Sequence, residues 1–468
     1  MAQVKVKWGK QLLELAVDLG SSVGALKEQL LRLTSVPVER QKLMGLKAAR
    51  PIDDNTTLAE AGVTAGKTLM LLGTADDAVK PVKQALDTKE STTPHVTVHQ
   101  HPGIVPIGLQ NIANTCYMNA AVQMLRLAPE VYELLSSHES DPLVRELMRL
   151  YKLMESQSEA ISPTSLWTTL ISQYRTFGEL NDKGQPMQHD AQEVLSAFLQ
   201  RINSSMPETH KTMFTGKLTQ TMVCKEDPDA QPTLQDVPFL MLSCNINTEI
   251  QTLEAGLEAA FNETLAINSE KLSREAMHSR TSRIAMLPEY LFVHMVRFSW
   301  RTDINGKVKV LKPVTFPMTL DLNMLCVEEL KKELAPERAR VLKRRDAEIE
   351  RRRAMRQKTQ LEGETKPNER GEEDTGAAES SAGGAVGNVS GYYELCGVIS
   401  HKGRSADSGH YVFWGKYAEQ WMVVDDNHVA CVTEEDVRRL RGSGEAHIAY
   451  VLMYRSKDPR TKRSIVPS

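Results

Sequence analysis

The chain has 468 residues, of which 41% are hydrophobic, so it is long enough for more than one domain with a sizeable core. Its 57 Lys and Arg nearly balance its 60 Asp and Glu, and the net charge of -3 gives no sign of a nucleic-acid partner. No apolar run reaches the roughly 20 residues of a membrane span, and the first residues lack an apolar signal core, so we expect neither a membrane anchor nor secretion. The six cysteines are scattered, which favours a reducing intracellular setting over a disulfide framework.

Residues 1–73 predict a small α+β domain. Alternating apolar residues from Val4 to Trp8 predict a half-buried strand, and the run from Leu12 to Leu19 predicts a second. Apolar residues at helical spacing then follow Ser22, which can cap a helix, and Thr68 to Leu72 predict a later strand. Two strands, a helix and further strands form the order of a β-grasp domain, although another small α+β domain fits this pattern equally well.

Two segments of this first domain carry sharper information. Val36–Met44 resembles the segment that follows the helix of ubiquitin, and Asp53–Leu58 resembles its later turn, so the domain is identified as ubiquitin-like. By position, Met44, Met70 and Leu72 would form an apolar docking face, although each could equally belong to the core. The chain continues past Leu72 without a free Gly-Gly terminus, so we expect this domain to dock and not to be conjugated.

The remaining chain divides into three parts, and the second of them contains an insertion. Residues 74–103 are rich in Lys, Thr, Pro and Asp and predict a flexible linker. A catalytic domain is predicted at 104–456, with a charged, partly disordered insertion at 327–390 and a tail at 457–468. The first half of the insertion shows no convincing apolar stripe and predicts a solvated helix, while its Gly- and Ser-rich second half predicts disorder. A calmodulin-like or an acidic partner is the functional alternative for the insertion.

Cys116 lies between a polar turn and the apolar run Ala120–Leu125, which places it at or near the first turn of a predicted helix. Backbone N–H groups and the helix dipole would favour a thiolate there. A packed, unreactive side chain is the plain alternative. In the amide-rich segment just before, Asn111 is a candidate donor to a developing oxyanion, or else a brace for the turn.

A histidine and two aspartates far downstream could complete this chemistry. His410 follows Gly409 and begins a strand-like run, so its imidazole would have a rigid base from which to take a thiol proton and later protonate a leaving amine. Asp425 and Asp426 follow another strand-like run, and either carboxylate could hold the imidazole tautomer. Thiol, imidazole and carboxylate together predict a cysteine hydrolase.

Four ordered segments resemble the conserved boxes of the ubiquitin-specific protease family, a papain-like class of cysteine peptidases. They are Gly108–Leu125, Gln188–Leu195, Leu291–Phe298 and Gly409–Asp426. The resemblance implies a papain-like α+β domain with fingers, palm and thumb. Ala113 departs from the usual glycine before Asn-Thr-Cys and could stiffen the turn, and His189 departs from a common glutamine.

The resemblance also implies roles for individual residues. Cys116 would be the nucleophile, His410 the general base and acid, and Asp425, which holds the family's place four residues after Trp421, the residue that orients the imidazole. The implied reaction is thiol-dependent hydrolysis at the C-terminal glycine of ubiquitin. A catalytically silent scaffold that binds ubiquitin and the proteasome is the alternative function.

A ubiquitin substrate places further demands on the site. Asp190 and Glu193, at i and i+3 of a predicted helix, could bind the basic tail of ubiquitin or could only solvate the helix. Gly409 and Tyr411 would line the cleft beside the thiol. Two polar loops flank the site and are expected to act as lids. The loops span residues 300–306 and 403–408, and the candidate lid residues in them are Trp300, Gly306, Arg404, Ser405 and Ser408.

Many relatives in this family hold zinc on two Cys-x-x-Cys pairs, but Cys224 and Cys244 stand alone here, so we expect no metal and no other cofactor. A ubiquitin-like domain joined to this catalytic domain resembles the proteasome-associated subgroup of the family. That resemblance implies docking at the proteasome regulatory particle, ubiquitinated proteins as substrates, and a site partly closed in the free enzyme. It also implies a monomer when free, located in the cytoplasm and nucleus.

Overall fold

The structure is a computed structural model in which the chain divides into two compact units, residues 1–98 and 99–468. It describes residues 2–8, 11–34, 38, 41–46, 56–64, 66–72, 106–136, 141–181, 184–227, 229, 231–269, 271–301, 306–361, 387–403, 409–442 and 446–457. The predicted linker at 74–103 lies outside the described residues, as does the predicted tail after its first residue. None of the helices among the described residues is long and apolar enough to cross a lipid bilayer.

The first unit is a four-stranded sheet with one helix. Its elements are β1 (Ala2–Trp8), β2 (Gln11–Val17), α1 (Val23–Thr34), β3 (Lys42–Met44) and β4 (Thr68–Leu72). The strands lie in the order β2-β1-β4-β3, and only β1 and β4 run parallel within this sheet. Val4 and Val6 are fully buried and share a core with Leu26 and Leu30 of α1, so the predicted alternation and helical face are confirmed.

Helices form the first part of the second unit. They are α2 (Cys116–Leu125), α3 (Pro129–Leu135), α4 (Pro142–Ser156), α5 (Thr164–Gln173) and α6 (Ala191–Ser205). All ten residues of α2 are buried, because this helix packs against α6 on one side and against the large sheet on the other. The apolar run after Cys116 therefore belongs to a helix in the core. Because this helix is packed on both sides, the position of Cys116, its first residue, is fixed.

In the described residues that follow, the chain forms three sheets and three α-helices. The elements are β5 (Gly216–Cys224), β6 (Thr233–Phe239), β7 (Leu242–Asn245), α7 (Leu253–Phe261), β8 (Asn262–Ser269), β9 (Arg274–Met286), β10 (Tyr290–Val296), β11 (Phe298–Arg301), β12 (Gly306–Lys309), β13 (Thr319–Asp321), α8 (Glu328–Leu361), β14 (Tyr392–Lys402), β15 (His410–Tyr417), β16 (Gln420–Asp425), β17 (His428–Val432), α9 (Glu434–Arg439) and β18 (Ile448–Ser456).

The large sheet has the order β17-β16-β15-β14-β18-β10-β7, with β13 paired to β14. A second sheet has the order β6-β5-β9-β8, and within the described residues β11 and β12 form a separate two-stranded sheet. The helical part, the large sheet and the second sheet correspond to the predicted thumb, palm and fingers. The predicted α+β class is confirmed for both units of the chain.

The beginning of the charged insertion departs from the prediction. Leu330 and Leu334 are 9% and 2% exposed and belong to the core between α8 and the sheets. Arg338, one turn later, binds both carboxylate oxygens of Asp321 and stacks on the ring of Tyr392. The prediction of a solvated helix is therefore wrong for the first turns of α8, because two leucines at i and i+4 suffice to anchor them.

Candidate active site

The segment before α2 is held against the turn that follows β16. The N–H group of Leu109 donates to the carbonyl oxygen of Asp426 at 2.8 Å. A Cβ atom on Gly108 would lie 2.6 Å from the Cα atom of Asn427, so only glycine fits this contact. The junction joins two sequence blocks whose residues Asn111 and Asp426 are 315 positions apart.

A left-handed turn leads into α2. Ala113 and Asn114 have φ values of +77° and +62°, a region that residues other than glycine rarely adopt. The Oδ1 atom of Asn111 accepts the N–H of Thr115 at 3.0 Å and closes the turn. Cys116 is the first residue of α2 and is 2% exposed, so its predicted place at a helix start is confirmed. N–H groups of a first helical turn have no intrahelical acceptor, so the sulfur lies at the positive end of the helix dipole.

One imidazole connects the thiol to a carboxylate. Asp425 Oδ1 lies 2.5 Å from His410 Nε2, and the thiol of Cys116 is close enough to the same ring to raise its pKa. Because Nε2 is taken by the carboxylate, Nδ1 is the nitrogen left for the thiol. The hydrogen bond to Asp425, followed by the influence of the nearby Cys116 thiol, raises the pKa of His410 to about 10, and the bond between His410 and Asp425 lowers the pKa of Asp425. The three groups can therefore keep a proton on the imidazole beside the sulfur.

The neighbouring carboxylate serves a different set of partners. Asp426 Oδ2 accepts from the side-chain amide of Asn111 at 2.9 Å, and its Oδ1 accepts from the amide of Asn119 at 2.8 Å. Its distance to His410 Nε2 is 3.9 Å. The structure thus brings Asp425 to the imidazole and directs Asp426 to the two amides that flank Cys116.

Both amides brace the turn before α2. Asn111 donates to Asp426 and accepts from Thr115, so the bracing that sequence reasoning left open is present. Asn119, which is 3% exposed, was missed by sequence reasoning. The available signal was a polar amide in the apolar run, three positions after Cys116 and so on the same helical face.

The residues predicted to contact a ubiquitin tail have different surroundings. Asp190 is the N-cap of α6 and not part of that helix; its Oδ1 accepts from the N–H of Gln192, and its Oδ2 accepts from the hydroxyl of Tyr450 at 2.5 Å. Glu193 lies in the first turn of α6 and is exposed. Tyr411, the second residue of β15, is 1% exposed.

The predicted lid residues fall only partly among the described residues. Trp300 lies on β11 and Gly306 begins β12, so the first loop joins two paired strands. The second group, Arg404, Ser405 and Ser408, lies outside the described residues. Gly409, which follows it, has a φ of +143°.

One group of side chains in the described part of the chain has metal-ligand geometry, and it is the same His410, Asp425 and Asp426, whose polar atoms lie within 4.8 Å of one another. The two carboxylates already accept from an imidazole and from two amides. Amide N–H groups of Asn111 and Asn119 would face a cation with their positive ends, so the donor set fits proton chemistry and does not fit a metal. That no zinc binds near Cys224 and Cys244 stays a prediction.

A thiol at the start of a buried helix, beside an imidazole that a carboxylate orients, defines a cysteine hydrolase. Comparison with known proteins gives the family. Residues 107–454 match the family described as "Ubiquitin carboxyl-terminal hydrolase", and residues 3–76 match the family described as "Ubiquitin family". The chain belongs to the ubiquitin carboxyl-terminal hydrolase family, with an N-terminal ubiquitin-like domain, and is a cysteine-type deubiquitinase.

Curated relatives share both domains with this chain. "Ubiquitin carboxyl-terminal hydrolase 6" of Schizosaccharomyces pombe is 34% identical over 98% of this chain and 99% of its own length. The Arabidopsis thaliana protein of the same name is 32% identical over the same shares. "Ubiquitin carboxyl-terminal hydrolase 14" of Caenorhabditis elegans is 32% identical over 98% of this chain and 94% of its own length.

Proposed function

We propose that this chain cleaves the amide or isopeptide bond that follows the C-terminal glycine of ubiquitin, and that it does so on conjugates held at the proteasome. The observation that carries the first part is the imidazole of His410, which is hydrogen-bonded to the carboxylate of Asp425 and whose pKa is also raised by the nearby thiol of Cys116. Membership of the ubiquitin carboxyl-terminal hydrolase family supports ubiquitin as the substrate. The N-terminal domain supports the second part.

Acylation begins at Cys116. His410 takes the thiol proton, and the sulfur attacks the carbonyl carbon of the terminal glycine. A C–S bond forms while the carbonyl electron pair moves to oxygen, which gives a tetrahedral oxyanion. When this intermediate collapses, the C–N bond breaks and the imidazolium gives its proton to the leaving amine. Ubiquitin remains on the sulfur as a thioester.

Deacylation uses the same imidazole in the reverse sense. Neutral His410 takes a proton from water, whose oxygen attacks the thioester carbonyl. The C–S bond breaks, ubiquitin leaves with a free carboxylate, and Cys116 regains its thiolate beside the imidazolium. Through both steps Asp425 holds the proton on Nε2 and stabilises the charged ring.

Two kinds of donor are close to the developing oxyanion. The first turn of α2 begins at Cys116 and presents N–H groups without intrahelical acceptors. Asn111 has two amide hydrogens, of which Asp426 accepts one, so the second is left for substrate. Asn111 would then brace the turn and stabilise the oxyanion with one side chain.

The cleft would receive the tail of ubiquitin. Gly409 lacks a side chain beside His410 and lets an extended Gly-Gly segment approach the thiol. Glu193 is exposed on α6 and could pair with a basic side chain of that tail. Asp190 would contribute in part through the hydrogen bond that it accepts from Tyr450. Tyr411, which is buried, would contribute by packing beneath the residues that line the cleft.

Docking at the proteasome would use the ubiquitin-like domain. Met44 of β3 and Met70 of β4 are directly paired across the strands, and each is 46% exposed. Two adjacent exposed methionines form an adaptable apolar patch of the kind that binding surfaces use. Leu72 continues the same strand. We propose that the free chain is a monomer and that it works in the cytoplasm and nucleus, with the proteasome.

The test combines two reagents with the full-length chain. Ubiquitin bearing a C-terminal electrophile should label the wild type and should not label Cys116→Ser. A ubiquitin C-terminal fluorogenic amide should be hydrolysed, and the rate should rise when proteasome is added. Absence of labelling together with retained ubiquitin binding would refute the hydrolase and leave a scaffold.

The docking part has its own pair of variants. Met70→Arg should abolish proteasome binding and the proteasome-dependent rise in rate while leaving hydrolysis by the free chain unchanged. The matched control is Leu31→Arg, which places the same charge at a 38% exposed apolar position on α1. Equal proteasome binding by the two variants would contradict docking through the Met44–Met70 patch.

A further inference from the structure

A buried lysine connects β12 to the end of β14 beside the active site. Lys309, the last residue of β12, is 5% exposed. Its Nζ donates to three acceptors: Nδ1 of His401 at 2.7 Å, the carbonyl oxygen of His401 at 2.9 Å, and the carbonyl oxygen of Gly403 at 3.0 Å. An ammonium group has three N–H donors, so all the donors of this side chain are used by acceptors at the end of β14.

No carboxylate is among the partners of Lys309 in the described part of the chain. Burial, and then the nearby charge of Arg297, lower the pKa of Lys309 to about 8. Arg297 is itself buried and donates to the carbonyl oxygens of Ala449 and Lys312. Two buried cations whose acceptors among the described residues are all neutral are costly, which argues that Lys309 has a role other than stability.

The lysine determines which nitrogen of His401 carries the proton. Nδ1 accepts from Lys309, so the proton of the neutral ring must be on Nε2. Burial, followed by the charges of Lys309, His447 and His410, lowers the pKa of His401 to about 3, so the ring stays neutral. His401 is fully buried. The result is an imidazole with one fixed tautomer and one fixed orientation.

His401 in turn touches the residues on both sides of His410. A Cβ atom on Gly409 would lie 2.5 Å from His401 Nε2, so the Gly409 backbone lies directly on the ring. On the other side, Tyr411 is the cross-strand partner of His401, and the two ring centroids are 4.6 Å apart. The ring of His401 therefore supports the backbone that carries His410.

We propose that Lys309 is a positioning residue for the hydrolysis, which acts through His401 to hold the Gly409–Tyr411 segment and with it the ring of His410. The inference rests on the proposed function only for its kinetic readout. Its physical chain runs from Nζ to Nδ1 of His401, and from the ring of His401 to the backbone at Gly409 and the ring of Tyr411.

The kinetic test uses Lys309→Met, which keeps an unbranched apolar stem and removes the donors. Misplacement of a catalytic group by about 1 Å can cost about a hundredfold in rate. We expect kcat for a ubiquitin C-terminal amide to fall about tenfold to a hundredfold while KM stays within about twofold. The control is Lys312→Met, because Lys312 donates to Thr248 and does not contact His401. A folded Lys309→Met with the kcat of wild type would overturn the proposal.

Coupling to His401 is tested by a double-variant cycle. If Lys309 acts through His401, then His401→Gln and Lys309→Met should each lower kcat. The kcat of the double variant should then be no lower than that of the less active single variant. Losses that multiply would show that the lysine acts by another route, which contradicts the proposal.

A spectroscopic test needs no change at Lys309 and so does not depend on whether the variant folds. In wild-type chain labelled with ¹⁵N-histidine, the His401 signals, identified by their loss in His401→Gln, should show a protonated Nε2 and a bare Nδ1 at pH 7. A proton on Nδ1 would refute the role of Lys309. Failure of the wild type to hydrolyse or be labelled by ubiquitin reagents would instead refute the proposed function, and the tautomer result would stand apart from it.

Discussion

Asp425 and Asp426 are adjacent in sequence, yet their carboxylates face different partners. Asp425 Oδ1 lies 2.5 Å from His410 Nε2, whereas Asp426 accepts the amides of Asn111 and Asn119 and lies 3.9 Å from the same nitrogen. One carboxylate therefore sets the charge of the imidazole, and the other fixes the backbone before α2. Matched substitutions at the two positions should separate these effects.

Asp425→Asn should shift the alkaline limb of the pH–rate profile to lower pH. The carboxylate is the largest cause that raises the pKa of His410 to about 10, since it favours the protonated ring. Without it the pKa should fall toward the ordinary imidazole value of about 6.5, and protonation of the leaving amine should fail at a correspondingly lower pH. The measurement is kcat/KM for a ubiquitin C-terminal amide between pH 6 and 10. An alkaline limb that stays near the wild-type value would contradict the assignment of Asp425.

Asp426→Asn should lower stability. The asparagine tolerates the φ of +50° at this position, but its amide nitrogen replaces one of the two carboxylate oxygens, so either Asn111 or the buried Asn119 loses its acceptor. An under-satisfied buried polar group costs about 1–3 kcal/mol in the free energy of unfolding, which urea titration of the catalytic domain would measure. The side chain of Asp425 is 47% exposed, so Asp425→Asn should lower the free energy of unfolding by a smaller amount. A larger loss at Asp425 than at Asp426 would reverse the roles.

Ala113→Gly should stabilise the chain by about 0.5–1 kcal/mol. A left-handed conformation costs an L-residue about 1–2 kcal/mol, and glycine removes this cost. Part of the gain is lost because glycine also increases the conformational entropy of the unfolded chain. The φ of +77° at Ala113 motivates the change. Urea midpoints at constant slope give the comparison. Ala113→Val serves as the opposing control, since a β-branched residue fits this region worst and should be destabilising. Equal midpoints for the two variants would show that the turn is not strained.

Gly409→Ala should lower kcat by at least about tenfold, because displacement of the backbone before His410 misplaces the imidazole. A Cβ atom there would lie 2.3 Å from the carbonyl oxygen of Lys402 and 2.5 Å from His401 Nε2. Gly184→Ala is the control: its φ is also positive, at +71°, but nothing lies within 4 Å of the added atom. It should cost only conformational strain and leave kcat near wild type. Similar kcat values for the two variants would contradict the close packing at Gly409.

Local patterns predicted the parts of the site that depend on one element at a time. The boundary between a polar turn and an apolar run placed Cys116 at a helix start, and apolar runs placed the strands that carry His410 and Asp425. In the first domain, alternation from Val4 onward identified the buried face. Each of these features repeats at the period of a helix or a strand, so it is visible in a few consecutive residues.

Features that depend on distant partners or on a single dihedral angle were not predictable. Strict alternation after β16 would point one aspartate inward and the other outward, but the strand ends at Asp425, and the positive φ of Asp426 turns its carboxylate toward Asn119 instead. The partner of Asp190 is Tyr450, 260 positions away. Nothing in the local sequence distinguishes the buried Lys309, because its acceptors are backbone carbonyls and an imidazole that only the folded sheet brings together.

The contact between Gly108 and Asn427 has a consequence for how the enzyme is made. A ribosome adds about 5–20 residues per second, so tens of seconds pass between the synthesis of the cysteine block and that of the aspartate block. During that interval the growing chain carries the sulfur without the base that activates it. Nascent molecules are therefore inert toward the ubiquitin around them, and hydrolytic activity arises only after the sheet that holds His410 and Asp425 has been synthesised and folded.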